Sequence, residues 1–414
     1  MRIVNEQVIA RHLAAIKGPS PLIVVAGNFA TPWELVRLLD ASLASCRALV
    51  LNPQSGWPCR DGFTTETPFV GPGARSDPRL VYLPMRLSLV PRLFDSVWPP
   101  DAVLIHTSPP RNGKVSLGIE VNILPAAIER VRRNGGLVIA QCNRNMPYTT
   151  ADAVVDVADI DLALEVDGPL PSPVAERPDP TSTSIADQVT RYAIDGATIQ
   201  LGIGQVPDIA AHFLGSRRHL RVWSEMVSDG VLHLERAGAL DLDRAICASF
   251  IFGSQELYAW ADDNPRLVMR RTEVVNDPGQ IAAQPALLSV NTALQVDLFA
   301  QANASYVGSR IYSGFGGQPD FVVGALHSDG GHAVVALRSW HDKSGTSNIV
   351  PVLSVPVCSF QHSVVVSEHG PAEIFGRSQR AQAQLIIERV ADPRARAGLS
   401  EAAERLASEA LTVR

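Results

Sequence analysis

The stretch P-L-I-V-V-A-G-N-F-A-T-P-W-E-L-V-R-L-L-D-A-S-L-A, residues 21–44, joins a short apolar run to an amphipathic segment. The run at 21–26 is typical of a strand that is buried on both faces. A helix is predicted over residues 31–44, because Thr31 can cap it and Pro32 suits its first position. The stretch therefore predicts one strand followed by one helix.

The same alternation recurs along the whole chain. Further apolar runs that predict strands lie at residues 48–51, 102–106, 136–141, 197–201, 245–251, 287–294, 332–337 and 363–366. Strands that alternate with helices imply parallel sheets with right-handed crossovers. We therefore predict an α/β fold with largely parallel sheets flanked by helices.

The chain length and one proline-rich segment predict two domains. A chain of 414 residues exceeds the size of one ordinary hydrophobic core. Residues 168–184, G-P-L-P-S-P-V-A-E-R-P-D-P-T-S-T-S, contain five prolines and no periodicity, which is typical of a stiff linker. We predict one domain over residues 1–175 and a second over residues 183–414.

The composition excludes several classes of protein. Hydrophobic residues make up 46% and charged residues 19%, as in a globular protein, and the net charge of -6 argues against non-specific nucleic-acid binding. Five dispersed cysteines and unclustered histidines predict neither a disulfide framework nor a metal site. No apolar run reaches the ~18 residues of a membrane span, and the charged N-terminus is unlike a signal peptide. We expect a cytoplasmic protein.

Two motifs follow predicted strands in the second half of the chain. G-I-G-Q-V-P at 202–207, with Gly202 and Gly204, precedes a predicted helix, which is the context of a phosphate-binding turn. Taken alone, a plain strand-to-helix turn explains these glycines better. W-S-E-M-V-S-D-G at 223–230 holds Glu225 and Asp229, which suit either acid–base chemistry or loop-holding hydrogen bonds.

A predicted strand and a glycine cluster form the most informative region. The stretch S-V-N-T-A-L-Q-V-D-L-F-A-Q-A at 289–302, in which the predicted strand ends in a short loop, leads into S-G-F-G-G-Q-P-D-F at 313–321. Gly314, Gly316 and Gly317 let the backbone approach a ligand closely. Gln295 is the residue that we expect to face that ligand. Gly370, after the strand at 363–366, can offer its N–H to a developing oxyanion.

Nine segments in a fixed order resemble the acetyl-CoA hydrolase/transferase family. They are residues 101–122, 141–147 (Q-C-N-R-N-M-P), 200–207, 224–230, 275–278 (V-N-D-P), 291–298, 313–321, 349–351 and 368–376. The resemblance implies two tandem CoA-transferase-like domains, a homodimer, and an acyl-CoA bound between the two halves. It implies a coenzyme A thioester and a small carboxylate as substrates and no tightly bound cofactor.

The resemblance also implies roles for particular residues. In this family a glutamate carboxylate attacks the thioester, and alignment with the family pattern N-S-x-x-E-x-D-L sets Gln295 at that position. Gly370 is implied as an oxyanion donor. Val268, Met269, Arg270 and Arg271 are implied to line the CoA site, and the glycines with Gln318 are implied to close against the thioester.

An amide at the nucleophile position leaves three readings open. The chain is a CoA-ester hydrolase or acyl-transfer enzyme without a covalent intermediate, with Gln295 orienting water or the acceptor. Alternatively it is an ordinary CoA-transferase that uses another carboxylate, or that acquires one through deamidation of Gln295 or carries an engineered Glu→Gln change. Glu225 and Asp297 are the candidate carboxylates, although a strand neighbour two residues away is displaced by ~6–7 Å, too far for an unchanged mechanism. The third reading is a non-catalytic CoA-ester-binding protein. We prefer the enzymatic readings, because the glycine motifs on both sides of the predicted site are intact.

Overall fold

The fold is described from a computed structural model that covers residues 1–173, 177–202, 204–357 and 361–412, with side chains to residue 408. Residues 174–176 of the predicted linker, Ile203 of the G-I-G turn and Cys358 therefore lie outside the described part. No helix in the described ranges combines the length and apolarity that a membrane crossing needs.

The helices alternate with strands, as predicted. They are α1 (Glu6–Ala14), α2 (Trp33–Ser42), α3 (Val90–Phe94), α4 (Leu124–Arg133), α5 (Pro180–Thr190), α6 (Gln205–Leu214), α7 (Asp229–Arg236), α8 (Gln255–Ala261), α9 (Thr272–Val275), α10 (Pro278–Ala282), α11 (Gln318–His327), α12 (Gln379–Leu385) and α13 (Pro393–Thr412). Helix α2 is shorter than predicted, because Pro32 rather than Thr31 precedes its first residue. Thr31 instead donates its hydroxyl to the carbonyl of Asn28 at 2.9 Å.

The strands of the N-terminal part are β1 (Arg2–Ile3), β2 (Leu22–Val25), β3 (Cys46–Val50), β4 (Phe63–Thr67), β5 (Val81–Tyr82), β6 (Ala102–Thr107), β7 (Lys114–Ser116), β8 (Leu137–Asn143), β9 (Thr150–Ala151), β10 (Val154–Asp156) and β11 (Leu162–Val166). One large sheet has the order β1-β11-β8-β6-β2-β3-β4-β5, and all its neighbouring strands are parallel. Every residue of β2 and β6 is buried, because helices cover both faces of a parallel sheet.

The later strands are β12 (Thr198–Leu201), β13 (Arg221–Trp223), β14 (Met226–Val227), β15 (Ile246–Ala248), β16 (Phe250–Ile251), β17 (Leu267–Met269), β18 (Leu288–Thr292), β19 (Gln295–Asp297), β20 (Ala302–Asn303), β21 (Tyr306–Val307), β22 (Arg310–Ile311), β23 (His332–Ala336), β24 (Trp340–His341), β25 (Thr346–Ser347), β26 (Ile349–Val350), β27 (Val364–Ser367) and β28 (Gly370–Glu373). The second large sheet has the order β28-β27-β23-β18-β12-β13-β15-β17-β9. Its pairs are parallel except β27 with β28.

These two sheets confirm the predicted α/β fold with largely parallel strands. The first takes its strands from residues 2–166. The second uses residues 198–373 and adds β9 from the N-terminal part, which pairs with β17 at its edge. The division into domains at residues 175 and 183 stays a prediction.

Candidate active site

A cavity of about 180 Å³ is lined by residues from both large sheets. Asn28 and Asn52 reach it from just beyond β2 and β3, while Gly202, Glu225 and Thr292 reach it from the ends of β12, β13 and β18. Ligands of open α/β sheets bind beyond the carboxyl ends of the strands. The cavity is smaller than the roughly 300–1,000 Å³ of typical drug-sized sites, so it suits a small reacting group.

Glu225 is fixed by its backbone at the junction of β13 and β14. Its carbonyl oxygen accepts hydrogen bonds from the N–H groups of Ser249, at 2.9 Å, and Phe250, at 3.1 Å. These two residues lie where β15 passes into β16, next to β13 and β14. The neighbouring strands therefore set the direction in which the Glu225 side chain leaves the sheet.

The Glu225 carboxyl group is partly buried in the cavity wall and has one side-chain donor. Asn276, fully buried in the V-N-D-P segment, donates Nδ2 to Oε2 at 2.7 Å. Burial raises the pKa of Glu225 to about 7, and the negative charge of Asp320 adds to this effect, while the Asn276 hydrogen bond opposes it. A carboxylate with this raised pKa is more basic than that of an ordinary glutamate.

The glycine turn contacts this carboxylate directly. Gly317 has an ordinary φ of -88°, yet a Cβ at this position would overlap Oε2 of Glu225. Gly314 and Gly316 are glycines for a different reason, because their φ angles of 147° and 51° are in the left-handed region. These contacts are with a protein carboxylate, and the approach of the turn to a ligand stays a prediction.

The turn also presents free backbone donors. Among the described residues, neither the Gly316 N–H nor the Gly317 N–H donates a hydrogen bond to another protein group. Helix α11 begins at the next residue, so its dipole favours negative charge at the same place. Two free N–H groups beside a carboxylate suit the stabilisation of an oxyanion.

The turn is clamped between the two halves of the chain. The N–H of Val70 donates to the carbonyl of Ser313 at 2.7 Å, and the N–H of Leu87 donates to the carbonyl of Gly316 at 3.1 Å. Asp320 in α11 accepts the hydroxyl of Ser88 at 2.9 Å. Burial raises the pKa of Asp320 to about 6. The N-terminal part therefore holds the donors in position.

Gln295 does not line this cavity, so the expectation that Gln295 faces the ligand stays a prediction that this cavity does not support. The strand predicted over residues 287–294 ends at Thr292, and the chain then turns. Gln295 begins β19, which belongs to a separate small sheet with β20 and β26. Its Oε1 accepts a hydrogen bond from Asn303 at 3.4 Å. Of the two carboxylates that the sequence suggested as alternative nucleophiles, Glu225 lines the cavity and Asp297 does not.

The other two carboxylates that the sequence suggested, Asp297 and Asp229, accept hydrogen bonds from nearby backbone and hydroxyl groups. Asp297 is buried and accepts N–H groups from Phe299, Gln301 and Leu353 at 2.9–3.1 Å. Asp229 accepts both the N–H and the hydroxyl of Ser254. Neither lines the cavity.

The two glycines of the G-I-G turn line different spaces, Gly202 the cavity and Gly204 a groove beside it. Gly202 lines the cavity, and Gly204, with φ 119°, directly precedes α6. An open groove runs past Gly204 and is also lined by Thr292 and Arg338. Thr292 lines both the groove and the cavity, so the two are adjacent.

The remaining predicted site residues do not line the cavity. Gly370 pairs with Ser367 in the β27–β28 hairpin. Val268 and Met269 belong to β17, Arg270 lies 3.6 Å from Asp152, and Arg271 pairs with Glu129 and Glu273. The structure therefore does not bring Gly370 to Glu225, because the hairpin is at the far edge of the sheet. Contact of residues 268–271 with CoA stays a prediction.

Sequence reasoning missed the contribution of the N-terminal sheet. Asn28, Asn52 and Asn122 line the cavity, and the buried Glu120 binds two of them. Polar residues directly after buried strands are a usable signal for Asn28 and Asn52. Among the described residues, no group of three or more histidine, cysteine or acidic side chains is placed so that it could hold a metal ion.

Comparisons with known proteins show which family the chain belongs to. Residues 253–403 match the family model of the acetyl-CoA hydrolase/transferase C-terminal domain. A 4-hydroxybutyrate coenzyme A transferase of Clostridium kluyveri is 34% identical over 333 residues, which make up 78% of this chain and 76% of that protein.

Solved structures match nearly the whole chain. RipA from Yersinia pestis has a TM-score of 0.89 at 26% identity, and the match covers 98% of this chain and 97% of that one. A 4-hydroxybutyrate CoA-transferase of Porphyromonas gingivalis shares the fold, with a TM-score of 0.80 at 24% identity over 98% and 97% of the two chains. The predicted CoA-transferase fold is thereby confirmed. The chain belongs to the acetyl-CoA hydrolase/transferase family of enzymes.

Proposed function

We propose that this enzyme transfers coenzyme A from an acyl-CoA thioester to a short carboxylic acid, with Glu225 as the nucleophile. Transfer or hydrolysis of CoA thioesters is the chemistry of its family. The observation that carries the proposal is the Glu225 carboxyl group in a small cavity beside two free backbone N–H groups. Because Gln295 lies outside that cavity, its amide does not deprive the enzyme of a nucleophile.

In the first step, an oxygen of ionised Glu225 forms a bond to the thioester carbonyl carbon. The carbonyl oxygen becomes an oxyanion, which the N–H groups of Gly316 and Gly317 stabilise. The carbon–sulfur bond then breaks, leaving an acyl-glutamyl anhydride and CoA thiolate. A carboxylate needs no general base for this attack, and its raised pKa makes it more nucleophilic when ionised.

In the second step, the thiolate attacks the side-chain carbonyl carbon of Glu225. The carbon–oxygen bond of the anhydride breaks, the first acid leaves as a carboxylate, and a glutamyl-CoA thioester remains. An incoming carboxylate then repeats the two steps in reverse order and takes the CoA. No net proton is taken up or released, so transfer needs no water and no acid catalyst.

The dimensions of the site support transfer rather than hydrolysis. The cavity of about 180 Å³ holds a short acyl group and excludes bulk water once it is filled. The rest of CoA is proposed to follow the adjacent groove past Thr292 and Gly204. The N-terminus of α6 then faces the anionic part of the cofactor, as the sequence motif predicts.

The test compares transfer with thiol release. The enzyme is incubated with acetyl-CoA, with and without propionate, and both propionyl-CoA and free thiol are measured. Propionyl-CoA formation that is lost in Glu225→Gln, with much slower thiol release, is the expected result. Equal thiol release without the acid would support hydrolysis instead, and saturable CoA binding with neither product would support a non-catalytic binder.

The proposed partners are therefore an acyl-CoA and a small carboxylic acid. A homodimeric assembly and a cytoplasmic location complete the proposal, as the sequence predicts.

A further inference from the structure

A second pocket, of about 140 Å³, adjoins the cavity beside Glu225. Ala304, Phe315 and Gln318 line both spaces, so these three residues form the boundary between them. The groove proposed for CoA meets the cavity at Thr292 instead, and among the described residues it shares no lining residue with the second pocket. The second pocket therefore borders the cavity at a place that CoA does not need.

The lining of this pocket is uncharged and mostly apolar. Its aromatic side chains are those of Tyr82, Tyr306 and Phe315. Apart from Ser305 and Gln318, the other described lining residues are prolines, alanines and a valine, and none carries a charge. A pocket with such a lining favours an apolar group without charge over a polar one.

The two tyrosines come from different halves of the chain and contact each other. Tyr82 ends β5, at the edge of the first large sheet, and Tyr306 begins β21. Their ring centroids are 6.5 Å apart, and the ring planes are perpendicular. Edge-to-face pairs at this distance are favourable, so each ring helps to orient the other.

Both tyrosines are anchored next to the reacting site. The fully buried Asn303 donates Nδ2 to the carbonyl of Tyr306 at 2.8 Å and accepts the N–H of Tyr306 at 2.9 Å. The ring of Tyr82 lies against the glycine turn, since a Cβ on Gly314 would be 3.3 Å from its Cε2 atom. The aromatic wall of the pocket is therefore already formed in the absence of a ligand.

The size of the pocket matches one aromatic ring. Its volume of about 140 Å³ is close to the ~150 Å³ of an apolar protein cavity that binds benzene. A ring that enters the pocket gains stacked or edge-to-face contacts with aromatic side chains, which an alkyl chain of similar volume lacks. Size and lining together favour a phenyl group.

We infer that this space, the aryl pocket, binds an aromatic ring at the end of the acid that the enzyme transfers. The inference rests on the proposed function and adds a substrate class to it, the uncharged arylalkanoic acids such as 3-phenylpropionate. The carboxyl group of the acid lies at Glu225, and its short methylene chain passes between Ala304 and Phe315. A spacer is needed because the carboxyl group and the ring occupy different spaces.

The test compares four acids as CoA acceptors from acetyl-CoA, with kcat/KM measured for each. Relative to propionate, 3-phenylpropionate adds only the ring and should be better by roughly tenfold to a hundredfold. Benzoate has no spacer and 3-(4-carboxyphenyl)propionate carries a second charge into the pocket, so both should lack this gain. Equal values for propionate and 3-phenylpropionate would overturn the inference, as would an equal gain for the dicarboxylate.

Variants of Tyr306 test the aromatic wall. Tyr306→Ala should lower the ratio of kcat/KM for 3-phenylpropionate to that for propionate by about tenfold, whereas Tyr306→Phe keeps the ring and should keep most of the ratio. Tyr312→Ala is the matched control, because Tyr312 is 41% exposed, stacks on Arg75 and does not line the pocket. A pocket that merely admits every acid would change both kcat/KM values equally in Tyr306→Ala, and that unchanged ratio would contradict the inference.

The outcomes separate this inference from the proposed function. Transfer to propionate without a preference for 3-phenylpropionate would contradict the aryl pocket while leaving CoA transfer intact. Transfer to none of the four acids would contradict the proposed function and the inference together. Glutamyl-CoA formation from acetyl-CoA reports that each variant folds and completes the first half-reaction, and the wild-type comparison decides the inference even where a variant does not fold.

Discussion

Gly317 and Glu225 touch so closely that a Cβ on the glycine would overlap Oε2 of the carboxylate. The same Cβ would also collide with the Nδ2 atom of Asn276, the donor that holds this carboxylate. Gly317, the Glu225 carboxylate and the Asn276 amide therefore pack against one another, so that a shift of one displaces the other two.

Gly317→Ala should displace the Glu225 carboxylate and lower kcat/KM by about a hundredfold, since a shift of ~1 Å is enough for such a loss. The measurement is steady-state acyl exchange, with the melting temperature as a check on folding. Gly398→Ala is the matched control, because a Cβ there meets no atom within 4 Å. An active Gly317→Ala enzyme would contradict the contact.

The activity of the wild-type enzyme should depend on pH through Glu225. Only the ionised carboxylate attacks, and its pKa is about 7, so kcat/KM should be constant above that pH and fall about tenfold per pH unit below it. Asp320→Asn removes a neighbouring negative charge and should shift the midpoint to lower pH. A midpoint near pH 4, the ordinary range of a glutamate, would contradict the assignment.

Asn276→Leu should shift the same midpoint in the other direction. The Asn276 amide stabilises the ionised form of Glu225, so its loss raises the pKa of that carboxyl group further. We expect kcat/KM to fall about tenfold below pH 7 and to recover partly at higher pH. A uniform loss at every pH would indicate a structural role for Asn276 only.

Gln295→Glu should leave kcat/KM within about threefold of the wild-type value, because the side chain lies outside the cavity. Glu225→Gln, a change of the same size, should lower it on the order of 10³-fold or more. Parallel acyl-exchange assays measure both. A large gain in kcat/KM in Gln295→Glu would contradict this expectation and would support residue 295 as the position of the nucleophile.

The fold could be predicted from the sequence, because its strands are short apolar runs between amphipathic helices. Residues in β2 and β6 are buried on both faces, which explains why most of them are apolar. The glycines of the turn were also recognisable, since close approach and left-handed φ angles both require glycine. What the sequence could not show is that Gly317 lies against a protein carboxylate, that of Glu225.

The strand predicted over residues 287–294 ends early, because tertiary contacts turn the chain after Thr292. After Thr292, the N–H of Ala293 bonds to Ala336 and the N–H of Leu294 to Asn303, which turns the chain into another sheet. The spacing of residues along the sequence does not reveal these hydrogen-bond partners, which are distant in the chain. The network around Glu120 was missed for a similar reason, because Asn28 is 92 residues away from Glu120 in the chain and meets it only in the folded N-terminal part.

The most direct measurement of the central claim is the trapping of the covalent intermediate. The enzyme is incubated with acetyl-CoA, reduced with borohydride, digested, and analysed by mass spectrometry, with Glu225→Gln and Gln295→Glu in parallel. A mass change that maps to Glu225 in the wild type and in Gln295→Glu, and is absent from Glu225→Gln, is the predicted result. Modification at any other carboxylate, or none in an enzyme that actively transfers CoA, would contradict it.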